Sequence, residues 1–116
     1  MPARSSSSVR VFYPKLHRAA LVETLRERLP RLAGILPLRR VVLFGSWAKG
    51  RQTVASDVDL LIVYRGAPRP DAYALARRTI ALPGLEPHLY TETEYRAAAA
   101  TIDRMTAGGV VLLEAP

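Results

Sequence analysis

Leu21, Leu25, Leu29, Leu32 and Leu36 recur at helical spacing and give the first third of the chain one apolar face. The pattern predicts a helix from about Pro14 to Leu29. Pro30 cannot sit in an uninterrupted helix, so a turn or second helical piece is expected up to Leu36, with Pro37 as the stop. Arg39–Phe44 then reads as a strand. Its continuous apolar run, Val41–Phe44, suits a strand covered on both faces. Asp57–Tyr64 reads as a second strand, with Asp57, Asp59, Leu61 and Val63 on one face and Val58, Leu60, Ile62 and Tyr64 on the other. Gly66, Pro68 and Pro70 mark a loop, and Asp71–Ile80 a helix with Ala72, Leu75, Ala76 and Ile80 inward.

Pro83-Gly84 makes a turn before a third strand, Leu85–Thr91, where Pro87 argues for an edge position or an irregular start. Thr91 and Glu94 form a capping box for a helix whose stripe is Tyr95, Ala98, Ala99, Ile102 and Met105. Gly108-Gly109 stops it, and Val110–Leu113 is a short last strand. The fold class is therefore α/β (α+β): a small mixed sheet of three to four strands with helices packed on it. Residues 1–9, with four consecutive serines, read as a disordered tail, and 10–116 as one domain.

Composition narrows the picture a little. A length of 116 residues and an apolar share of 49% suit one small core and leave no room for a second domain of ordinary size. The absence of cysteine excludes disulfides and thiolate metal sites. No apolar run is long enough to span a bilayer and the N-terminus lacks a secretory h-region, so a cytoplasmic protein is expected. Seventeen basic against ten acidic residues give a net charge of +7. That suits a phosphate-bearing partner, nucleotide or nucleic acid, but equally an arginine-rich surface, since Lys15 and Lys49 are the only lysines.

The informative stretch runs from Leu43 to Val63. Gly45 lets the backbone turn sharply and lets a ligand approach. Ser46 caps the next short helix, whose free N–H groups make a phosphate cradle. Lys49 and Arg51 follow as cations for a polyphosphate tail. Asp57 and Asp59, roughly 6–7 Å apart along one strand face, repel each other unless a cation lies between them. Hard oxygen ligands of this kind suit Mg²⁺ or Mn²⁺. A lone Asp-x-Asp is usually a solvated strand end, and a lone Gly-Ser is usually a turn. A strand, Gly-Ser, ten residues and then Asp-x-Asp on a second apolar strand is a far rarer combination.

This segment resembles the signature of the polymerase-β-type nucleotidyltransferase superfamily, and most closely its small minimal group. The matching residues are Gly45, Ser46, Gly50, Ser56, Asp57 and Asp59. The resemblance implies a nucleoside triphosphate, ATP first, on Gly45 and Ser46. It implies two Mg²⁺ ions held by Asp57, Asp59 and a third carboxylate on the next core strand, and transfer of a nucleoside monophosphate with release of pyrophosphate. Glu86 takes the third place, with His88 the other polar candidate on the same face as Tyr90; as a plain residue His88 is a half-exposed strand histidine. Trp47 reads as core packing, His17 as surface, Arg39 and Arg40 as solvated, and Tyr73 and Tyr95 as core faces of their helices.

The small size implies that the acceptor is held by another chain or by a homo-oligomer surface. In the minimal group that chain is often a small helical HEPN-domain protein, the two paired as antitoxin and toxin, and the resemblance implies such a partner here. Three readings stand. One is an enzyme that modifies such a partner. Another is a binding antitoxin that blocks it by contact. The third is an enzyme acting on a small molecule or RNA end.

Overall fold

The computed structural model describes residues 14–53 and 56–116, with the backbone alone described for 14–17. The tail expected at 1–9 and the domain start at 10 lie outside the described residues, as does the side chain of His17. The elements are α1 (Pro14–Ala33), β1 (Leu38–Phe44), β2 (Val58–Tyr64), α2 (Ala72–Ile80), β3 (Leu85–Thr91), α3 (Glu92–Ala97), α4 (Ala99–Met105) and β4 (Val110–Glu114). Among the described residues no helix is long and apolar enough to cross a membrane.

The four strands form one mixed sheet in the order β3-β2-β1-β4. β1 runs antiparallel to β2 and β4, and β2 runs parallel to β3. Alternation along the two central strands divides the core. Val41, Leu43, Leu60 and Ile62 share a core with Leu25, Leu29 and Leu32 of α1, Leu36 of the turn after it, and Ala72, Ala76 and Ile80 of α2. Val42, Phe44, Leu61 and Val63 face Ile102 of α4, with Tyr90 and Tyr95 packed alongside. The continuous apolar run in β1 is thus covered on both sides, as expected of it. Pro87 lies in the edge strand β3, where its missing N–H disrupts least.

Two expectations about helices need correction. α1 continues through Pro30 to Ala33. The proline is exposed and lies within the last turn, so it removes one late hydrogen bond, while Leu29 and Leu32 on either side are buried and hold the helix down. The last helix is in two pieces. At Ala98 the backbone opens to φ −121° and ψ 24°, and its N–H is shared between Glu94 O and Tyr95 O, both at 3.2 Å. Across the break the Tyr95 hydroxyl donates to Asp103 at 2.7 Å, and only Ile102 of the expected stripe is buried; Met105 is exposed. The capping box at Thr91 and Glu94 is formed in both directions. Arg28 of α1 donates to the carbonyls of Ile80 and Ala81, closing the C-terminal end of α2 with a cation.

Candidate active site

β1 delivers the chain to Gly45, which adopts φ +78°. Residues 45–50 form successive turns, held by Lys49 N–H to Gly45 O, Gly50 N–H to Trp47 O and Arg51 N–H to Ser46 O. The short helix expected after Ser46 is therefore absent: hydrogen bonds of three different spans replace a helical ladder. Arg18 ties the turn to α1 by donating to Ala48 O at 2.7 Å. Trp47 packs against the core beneath the turn, as the sequence suggested. Lys49 and Arg51 are exposed, and Ser46 is half-buried. Ser56 shapes the far side of the loop, where its hydroxyl accepts from Thr53 N–H at 2.8 Å.

Asp57 is exposed and directly precedes β2; Asp59 lies within the strand between buried Val58 and Leu60. In register, Phe44 of β1, Asp59 of β2 and Glu86 of β3 stand side by side across three adjacent strands. Both oxygens of Asp59 are placed. A Cβ added to Gly45 would lie 2.5 Å from Oδ2, so the carboxylate occupies the space that a side chain on the turn would need. Oδ1 lies 3.2 Å from His88 Nε2. The His88 ring in turn meets Phe44 edge-on, with centroids 5.0 Å apart.

Glu86 takes a different partner. Its Oε1 accepts from the Tyr73 hydroxyl at 2.9 Å, and Arg77 donates to that same hydroxyl at 3.4 Å. Tyr73, expected on the helix core face, is exposed and forms this contact at the sheet edge. The structure thus brings together Gly45, Asp59 and His88. It leaves Lys49, Arg51 and Asp57 exposed nearby in sequence, and turns Glu86 toward α2. Among the described residues no three histidine or acidic side chains are gathered into a ready-made metal centre. The donor set still suits a hard divalent cation, because Asp57 and Asp59 offer carboxylate oxygens beside a turn of backbone amides. Alternation marks Glu86 and His88 as same-face residues; which of them meets Asp59 depends on strand register and side-chain rotation, for which the sequence carries no signal.

The family model for the nucleotidyltransferase domain matches residues 22–106. The chain belongs to that family. The matched range of this nucleotidyltransferase takes in the Gly45 turn, both aspartates and His88. Solved structures agree on the fold. A protein from Sulfolobus solfataricus, named for nucleotidyltransferase activity, superposes with a TM-score of 0.57 at 19% identity, over 90% of each chain. A toxin–antitoxin complex with AMP-PNP gives 0.53 at 21% identity, over 84% of this chain and 73% of that one. A mutant of the MntA-HpeT toxin–antitoxin gives 0.51 at 19% identity, with the same coverage. No curated protein matches the nucleotidyltransferase.

Proposed function

We propose that this nucleotidyltransferase transfers a nucleoside monophosphate, AMP from ATP in the first instance, to a hydroxyl on a partner protein, releasing pyrophosphate. The observation that carries the reading is the seating of the Asp59 carboxylate against the Gly45 turn. It sets a cation-holding carboxylate beside a backbone suited to polyphosphate, the pairing that metal-assisted phosphoryl chemistry needs. Gly45 and Ser46 receive the terminal phosphates, and Lys49 and Arg51 neutralise them from the exposed side of the turn. Ser56 holds the shape of the connecting loop through Thr53.

Asp57 and Asp59 hold Mg²⁺, with Mn²⁺ as the close substitute. When bound, the metal neutralises the triphosphate and lowers the pKa of the acceptor hydroxyl. Glu86, the third carboxylate expected from the sequence, stands abreast of Asp59 on β3. The acceptor oxygen attacks the α-phosphorus as the bond to pyrophosphate breaks. The residues of the turn hold the two leaving phosphates while this happens. Two of the similar structures are toxin–antitoxin assemblies, and one of them holds AMP-PNP. They support a toxin protein as the acceptor and an antitoxin role for this chain; the small helical HEPN-type partner and the cytoplasmic setting are carried over from the sequence resemblance.

The test is incubation with labelled ATP, Mg²⁺ and a co-expressed neighbouring protein, alongside Asp57→Ala and Asp59→Ala. Label on the partner that disappears in both variants is the expected result. Neutralisation of the partner by Asp57→Ala as complete as by the native chain would replace this reading with inhibition by contact. Label on added RNA in place of protein would move the acceptor to a nucleic-acid end, a use to which the +7 charge is suited.

A further inference from the structure

We infer that His88, not Glu86, supplies the third metal-binding group of this site, and that the imidazole shifts its preference from Mg²⁺ toward Mn²⁺. The inference rests on the nucleotidyl-transfer reading above and assigns a ligand within it. Two distances separate the candidates. His88 Nε2 lies 3.2 Å from Asp59 Oδ1, about the separation of two neighbouring donors sharing one cation with bonds near 2.1–2.2 Å. Glu86 is paired with Asp59 along the backbone, yet its carboxylate is bonded to Tyr73, itself bonded to Arg77.

The surroundings favour the same choice. Phe44 packs edge-on against the imidazole and restricts its rotation. Phe44 is buried, and it immediately precedes the Gly45 turn, so the element that carries the phosphate-binding backbone also positions His88. Asp59 Oδ2 fills the space beside Gly45, while Oδ1 lies against His88. Only Asp57, exposed at the entrance to β2, has to turn inward to complete two carboxylates and one imidazole. A nitrogen donor favours first-row transition ions, whereas Mg²⁺ is best served by oxygen alone.

The test is binding of Mn²⁺ to the full chain in the presence of a non-hydrolysable ATP analogue, read by electron paramagnetic resonance. In wild-type protein grown with ¹⁵N-histidine, the nitrogen modulation on bound Mn²⁺ should change from the ¹⁴N pattern. His17→Ala should leave that change in place, which assigns it to His88. His88→Ala should weaken Mn²⁺ at least ~10-fold and Glu86→Gln should leave it nearly unchanged. His88→Asp should raise Mg²⁺ affinity relative to Mn²⁺. Bound Mn²⁺ with no histidine coupling would overturn the assignment, as would a larger loss in Glu86→Gln than in His88→Ala. The isotope experiment needs no substitution at His88, so a poorly folded His88→Ala cannot leave the matter open. If Asp57→Ala and Asp59→Ala both bind Mn²⁺ like wild type, the underlying nucleotidyl-transfer site fails and not merely its third ligand.

Discussion

Two glycines set hard limits at the scale of single residues. Gly45 is in left-handed backbone and has no room for a Cβ beside Asp59. Gly45→Ala should therefore cost about 1–2 kcal/mol from backbone strain alone, and should also displace the Asp59 carboxylate. Calorimetric titration with an ATP analogue should show binding lost by more than the stability change would explain. Gly109 is limited by space and not by torsion. A Cβ there would lie 2.7 Å from Leu43 O and from a Val42 methyl, where β4 begins against β1. Gly109→Ala should cost about 1–3 kcal/mol in urea unfolding, the usual penalty of overpacking. The sequence announced the first glycine, because Gly-Ser followed ten residues later by Asp-x-Asp is a dense pattern. It announced the second only as a helix stop. Its close approach to β1 follows from the pairing of β4 with β1, which no residue near Gly109 encodes.

Elements show the same division between local and distant information. β3 was readable as an edge because Pro87 is local, and the capping box was readable because Thr91 and Glu94 are three residues apart. The break at Ala98 was not readable. Residues 97–100 are all alanine, the best helix formers available, and the residues that flank the break, Tyr95 and Ile102, both pack on the second face of the sheet, a tertiary contact that local propensity does not carry. Arg39 and Arg40, expected to be merely solvated, both pair with Glu114, and Arg39 also donates to Glu92 at 3.1 Å. These bonds link β1 to β4 and to α3. Burial pushes the Glu114 carboxyl up, but the hydrogen bonds from Arg39 and Arg40 outweigh it and the net pKa is lowered from 4.5. A depressed carboxylate stabilises the fold above its unfolded pKa and loses that contribution as pH falls through the folded value. Glu114→Gln should thus be less stable at neutral pH, by no more than about 1 kcal/mol per partly exposed pair. The gap from wild type should close progressively below pH 4.5 in acid unfolding curves. Arg28 acts between helices: Arg28→Ala should lower stability by ~1 kcal/mol through loss of the cation at the end of α2, measurable by thermal unfolding.

For the whole molecule, the division of the core by the sheet was legible from alternation in β1 and β2, where every other residue serves the opposite layer. The order of strands was not. It places β2 between an antiparallel and a parallel neighbour, and the parallel contact brings Glu86 and His88 alongside Asp59 from 27 and 29 residues away. The sequence put Glu86 first and His88 second; the register does pair Glu86 with Asp59, but the side chains part, Glu86 to Tyr73 and His88 to Asp59, a choice made by contacts across α2 and β1 that no local pattern encodes.

Because Phe44, Asp59 and Glu86 stand abreast on three strands, the candidate site exists only while those strands remain zipped together. Any molecule that settles there is therefore linked thermodynamically to unfolding of the sheet. At a hundred times its dissociation constant, a ligand specific for the native state adds about 2.7 kcal/mol. For a chain of this size that is on the order of 10 °C in melting temperature. Melting the protein against a panel of nucleoside triphosphates and divalent ions should reveal its preferred substrate as the largest upward displacement, before any acceptor has been found.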